Sequence, residues 1–482
     1  MEHASSYRHI LKYTGFFGLV QLATILLAVL RGKVVAVLLG AVGVGLIEVF
    51  NRGNELVGAL TNLGIPVSGI RHIASVSAER HSTRRLQHAV LLVRSWGAIA
   101  ALIGVLTALC AAPLLSLVFG ESSVSVEQLM TLAPLVGLST LVGVEWAVLK
   151  GLQRLRMVAL CTLWGAVALL VAAGLCLSVW QLAGIVPMMT LSVFALFVVQ
   201  VLLNRRYPWR VVWRRRTLRY GWPLVRLGLF FNAGIALTSA AEMAIRTLLL
   251  SWGGWEEVGL YTAGFVLLTA YTRMVFASAE ADFYPRLSAA TTPLALRLVV
   301  DRQIEVYVVL MGACLCVLVL ALPWLVPLLY TQSFVAAIPM ATAAAFYMLC
   351  KAAVTPVAYI ALARGDSHLF FVLELLANLT QVLAVALGYY AYGLVGAGIG
   401  LSVSYACYLG YALMAAYRYY GYCLGQRVVR VLVMEGMLLS ICCLLPFVRE
   451  RDTYYWLLGG AAACVALGVA IAAIRHGLRQ SH

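Results

Sequence analysis

The stretch Asn204 to Arg219, NRRYPWRVVWRRRTLR, places seven arginines in an otherwise apolar chain and decides how the rest is read. It separates two halves that resemble each other. Sliding the sequence against itself by 214 residues superposes Phe16-Phe17 on Phe230-Phe231, Gly40 on Gly254, and Val44-Gly45-Leu46 on Val258-Gly259-Leu260. The same shift, without a gap, puts Pro113-Leu114-Leu115 on Pro327-Leu328-Leu329, Gly151 on Gly365, and Gly184-Ile185 on Gly398-Ile399. A parallel internal repeat predicts two like lobes. In membranes such repeats accompany transporters whose site lies between the halves.

Of 482 residues, 63% are hydrophobic and 11% charged, with a mean hydropathy of +0.94, so no water-facing surface can be assembled from them. Lipid is the solvent. The apolar runs are unbroken where a membrane barrel would alternate, which predicts helices. The eleven cysteines lie in or beside apolar runs and read as small buried hydrophobes. The eight histidines fall near span ends, and neither a metal site nor another cofactor is expected. A phosphate-binding glycine loop and an HExxH motif are both absent from the sequence, so the chain carries no ATPase of its own.

Spans of roughly 20 or more apolar residues are expected over 13–39, 44–69, 86–119, 127–149, 157–180 and 182–203. After the arginine-rich segment they continue over 221–251, 258–284, 304–330, 335–362, 368–390 and 393–416, then 428–447 and 454–474. The sequence thus predicts an all-α polytopic membrane protein of about fourteen helices. Its divisions are an N-lobe (1–204), a basic cytoplasmic linker (205–219), a C-lobe (220–420) and two additional spans (421–482). Basic residues concentrate in alternate loops, with only Arg449 and Arg451 on the wrong side. By the positive-inside rule both termini are cytoplasmic, and the net charge of +16 reports topology rather than nucleic-acid binding. The linker is expected to lie on anionic lipid, with Trp209 and Trp213 at headgroup depth.

Charged residues deep in spans should face a protein interior or a watery cavity. At 100° per residue, Glu48, Asn51, Arg52, Glu55 and Asn62 share one stripe of the second span. The seventh repeats it with Asn232, Ser239, Glu242 and Arg246. The eighth has Thr262, Thr269, Arg273 and Glu280 on one face, and Arg31 nearly eclipses Thr24 on the first. The simpler alternative is ion pairing that glues helices, as for Glu242 and Arg246 at i,i+4. Lys33, Arg94 and Arg226 read as side chains snorkelling toward a headgroup region. Lys351 precedes the mid-span Pro356 and remains a candidate.

Leu38-Leu39-Gly40 with Gly45-Leu46, the echo at Gly254 and Val258-Gly259-Leu260-Tyr261, and GLQRLRMV at Gly151 to Val158 give the chain a family resemblance. It resembles the Wzx-type O-antigen or polysaccharide flippases of the multidrug/oligosaccharidyl-lipid/polysaccharide exporter superfamily. The resemblance implies two six-helix lobes in a V that rock around a central cavity. The implied cargo is an undecaprenyl-pyrophosphate-linked oligosaccharide crossing the bacterial inner membrane, with Na+ or H+ as counter-ion. Membrane lipids and a polysaccharide polymerase/chain-length complex are further implied partners. A pyrophosphate needs fixed cations, and arginine's planar fork suits it. Arg31, Arg52, Arg246, Arg273 and Lys351 are therefore the substrate-binding candidates, and Glu48, Glu55, Glu242 and Glu280 the ion-coupling or gating ones. A lipid II flippase and a cation-coupled multidrug antiporter remain open alternatives. A glycosyltransferase or polymerase would need a sizeable external loop, which the spacing of the spans excludes.

Overall fold

The computed structural model describes residues 2–78, 83–119, 126–212, 215–290, 292–448 and 453–479. Within 2–18, 213–220, 271–282, 446–455 and 472–479 most side chains are outside the description. The described residues form helices and no strand. The chain divides into two compact units, Met1–Ser251 and Trp252–His482.

In the first unit run α1 (Glu2–Thr61), α2 (Ile65–Ala78), α3 (Thr83–Phe119), α4 (Val126–Met130), α5 (Ala133–Gly151), α6 (Leu155–Trp180) and α7 (Ile185–Leu203). Next comes α8 (Arg215–Ala289), which carries on past Ser251. The second unit continues with α9 (Pro293–Leu329), α10 (Ile338–Ala343), α11 (Ala345–Ala363), α12 (Ser367–Tyr420), α13 (Gln426–Val448) and α14 (Thr453–Arg479). Among the described residues nine helical stretches are long and apolar enough to cross a membrane, and Trp456–Ile471 is a shorter apolar helix. Leu19–Thr61, Leu155–Leu203, Asn232–Ala270 and Ser367–Tyr420 each hold two crossings joined at a break, which brings the total to the expected fourteen.

Where loops were expected between paired spans, the backbone turns at single residues. Gly40 (φ 62°, ψ −160°) and Gly254 (φ 80°, ψ −177°) break α1 and α8 in a region of backbone space that only glycine enters readily. They stand 214 residues apart, as the repeat requires. Beyond that point the register slips. Gln153 (φ 53°) pairs with Gly365 (φ 77°), and Gln181 (φ 48°, ψ −126°) with Gly393 (φ 59°, ψ −143°), both at a spacing of 212. Close packing keeps the same spacing. A Cβ at Gly184 would meet the Cys176 carbonyl oxygen at 2.3 Å, and one at Gly396 would meet that of Gly388 at 1.9 Å. The gapless alignment of Gly151 with Gly365 and Gly184 with Gly398 is therefore corrected by two residues.

The second span differs from its expected continuous helix. It breaks at Asn62–Gly64, where Asn62 Oδ1 accepts the Gly64 N–H at 2.8 Å and Leu63 and Gly64 both take positive φ. Four of the eleven cysteines, Cys110, Cys407, Cys423 and Cys464, are exposed rather than buried. A buried cluster of Ile65, Ile73, Val90, Val93, Val144 and Val148 joins α2, α3 and α5, and adds Tyr207 with Leu224 and Val225 of α8. In lipid, such contact rests on close van der Waals fit and internal hydrogen bonds, because tails are as apolar as the side chains.

Candidate functional site

Within the first unit, α8 packs on the end of α1 through small and polar residues. A Cβ at Gly64 would strike the Gly228 carbonyl oxygen, which fixes how closely the two backbones approach. Asn232 Nδ2 donates to Asn62 Oδ1 at 2.9 Å and to the Ala59 carbonyl. Further along the same helices lies a five-residue charge cluster. Arg52 Nε donates to Glu48 Oε1 at 2.7 Å, and Arg52 Nη1 reaches Glu55 Oε2 at 2.7 Å and Glu242 Oε2 at 2.9 Å. Arg246 Nη2 reaches Glu48 Oε1 at 2.9 Å, and its Nη1 lies 3.5 Å from Glu242 Oε2.

Arg246 is buried at 1% exposure, whereas Glu55 is 51% exposed. Two guanidiniums face three carboxylates, a net charge of one negative, and Glu48 Oε1 is shared by both arginines. Charge-assisted bonds of this kind are strong in a low dielectric but costly to leave half-made. The arrangement can exchange partners: an incoming anion can take the arginines, and the freed glutamates can take a cation or proton.

The cluster gathers five of the nine predicted residues. Arg31 is half-buried in the part of α1 before Gly40. Arg273 and Glu280 fall on α8, but their side chains lie outside the described residues. Lys351 belongs to a different setting in the second unit, with its Nζ 5.6 Å from the Tyr347 ring centroid and 6.0 Å from that of Tyr405. Beside it the rings of Tyr405, Tyr408 and Tyr411 follow one another at 5.7 and 5.4 Å, and Tyr408 Oη donates to Glu374 Oε1 at 2.7 Å.

Arg94 does not snorkel. Its guanidinium is 2% exposed and grips Glu145, itself fully buried, through Nε at 2.6 Å and Nη2 at 2.9 Å. Its Nη1 donates to the Tyr207 and Pro208 carbonyls, both at 2.9 Å, and Ser95 Oγ accepts the Val212 N–H at 3.0 Å. Trp209 stands edge-on to Phe197 with Arg94 over its ring. The first part of the linker is thus bound to protein, and Trp213 lies outside the described residues. Glu145, Glu374 and Glu435 escaped the sequence reading, although a lone acid inside an apolar run is itself the signal.

Paired crossings, an internal repeat and charged clusters within the spans are the architecture of a polytopic helical membrane protein. Residues 10–291 match the family described as "Polysaccharide biosynthesis protein", and the chain belongs to that family. The fold is shared with an inward-facing multidrug resistance MATE family transporter of the MOP superfamily, at TM-score 0.65 and 15% identity over 85% of this chain and 95% of that one. A multidrug resistance MATE family transporter of the MOP superfamily in an outward-facing conformation gives 0.59 and 15% over 89% and 94%. The lipid II flippase MurJ in an inward closed conformation gives 0.61 and 10% over 96% and 99%. No curated protein matches the sequence.

Proposed function

We propose that the chain flips a polyprenyl-pyrophosphate-linked oligosaccharide, an O-antigen or other surface polysaccharide repeat unit, across the bacterial inner membrane by alternating access. Membership of the polysaccharide biosynthesis family, on a fold shared with flippases and exporters, is the observation that carries this reading. Both termini then face the cytoplasm, as the basic loops require. The description of the family supports a polysaccharide repeat unit as the cargo.

In the proposed cycle the cargo's diphosphate draws Arg52 and Arg246 away from their carboxylates, with Arg273, Arg31 and Lys351 as further cationic contacts. The freed Glu48, Glu55, Glu242 or Glu280 then takes the coupling ion, Na+ or H+. Because buried ion pairs are stronger than hydrated ones, the pairs around the buried Arg246 hold until an anion competes for them. Depleting the protein should strand the lipid-linked glycan in the cytoplasmic leaflet, where impermeant glycan-modifying enzymes added outside spheroplasts cannot reach it. Unchanged outer-leaflet glycan after depletion contradicts the reading.

A further inference from the structure

α13 carries a charge-bearing residue with a singular environment. Glu435 is fully buried, and neither carboxyl oxygen has a hydrogen-bond partner. α13 packs against α9, and there the carboxyl lies directly on the backbone of Gly312, where a Cβ would come within 2.2 Å of Glu435 Oε2. Absence of a side chain at Gly312 is what makes room for the acid. Around it the seam is apolar and thiol-bearing: Cys316 lies one turn beyond Gly312, Cys442 two turns beyond Glu435, and both are buried.

Among the described residues no basic side chain pairs with Glu435, and Arg427, two turns earlier on α13, is held by Glu305 of α9 at 3.0 Å. Among the described residues Cys316 faces Glu435 from α9, with Glu305 two turns before Gly312 on that helix, and on its own helix Cys442 lies along the same face. From α14, Cys464 is exposed, and Lys351 of α11 is taken up by the rings of Tyr347 and Tyr405. A carboxylate in such surroundings neutralises rather than remaining charged. A purely structural acid would be expected to have donors, and a purely packing residue would not be an acid.

We propose that Glu435 is a proton-binding site of the α9–α13 seam. It is a carboxylic acid in the state described, and it releases its proton to water when the seam is hydrated. Glu435 would then supply a coupling carboxyl outside the arginine cluster, a role that rests on the ion-coupled flippase reading above.

The test uses the full-length protein in nanodiscs and infrared spectroscopy of the protonated-carboxyl stretch at neutral pH. A band from a dry carboxylic acid is expected in the wild type, lost in Glu435→Gln, and retained at a shifted position in Glu435→Asp. Identical spectra from wild type and Glu435→Gln overturn the site. Should Glu435→Gln not fold, an unshifted band in Glu435→Asp overturns it equally. In proteoliposomes carrying lipid-linked glycan, an imposed pH gradient should accelerate wild-type transport severalfold and leave Glu435→Gln unaffected. A wild-type gradient response in Glu435→Gln removes the coupling role. Absence of any transport by the wild type counts against the flippase reading instead, and leaves the infrared result standing.

Discussion

Replacing Arg94 with alanine is expected to destabilise the first unit by about 3–5 kcal/mol, the usual cost of removing one partner from a buried ion pair. Among the described residues Glu145 would keep Asn204 Nδ2 at 3.5 Å in place of two guanidinium bonds. The midpoint of thermal unfolding in detergent should fall by roughly 10 °C. Because Arg94 also holds the Tyr207 and Pro208 carbonyls, trypsin should gain access to Arg205, Arg206 and Arg210. Replacing both partners, Arg94→Leu with Glu145→Leu, removes both charges and should recover most of the midpoint. It should not restore protection of the linker, since its carbonyls still lack their donor. An unchanged midpoint in Arg94→Ala would show that the pair contributes nothing net.

The largest functional effect is expected from Arg52→Ala combined with Arg273→Ala. A charge-assisted bond is worth about 1.5–3 kcal/mol, so losing two to a diphosphate lowers transport by about a hundredfold or more. Surface polysaccharide should disappear while the protein remains inserted at wild-type levels. Arg52→Ala also leaves Glu48, Glu55 and Glu242 to Arg246 alone, so a Glu55→Gln companion tests whether repulsion rather than lost anion binding is responsible. If that companion restores export, Arg52 serves the cluster and not the cargo. Normal glycan export by the well-expressed double variant removes both arginines from the binding site.

Much of this architecture was legible in the sequence because membrane spans are set by length and apolarity, which the chain displays openly. The corrections concern backbone conformations that residue type does not advertise. Gln153 and Gln181 adopt positive φ where a glycine would have been sought, so the two-residue slip in the repeat was hidden. Gly40 and Gly254 looked like loop markers, but each turns the chain with almost no loop.

For the site, helical periodicity placed Glu48, Arg52 and Glu55 on one face and Glu242 and Arg246 on another. That the two faces meet, with Arg246 on Glu48 across 198 residues, is a tertiary fact. Arg94 was misjudged for the same reason. Position near a span end suggests snorkelling, but its partners, Glu145 and two linker carbonyls, are 51 to 114 residues away.

The most direct measurement is translocation by the purified protein in proteoliposomes loaded with three substrates in parallel: a polyprenyl-diphosphate-linked oligosaccharide, lipid II and an organic cation dye. The account predicts that the diphosphate-linked oligosaccharide crosses, that free inorganic diphosphate slows it by competing for the arginines, and that the dye does not move. Movement of the dye or of lipid II without movement of the oligosaccharide would contradict it.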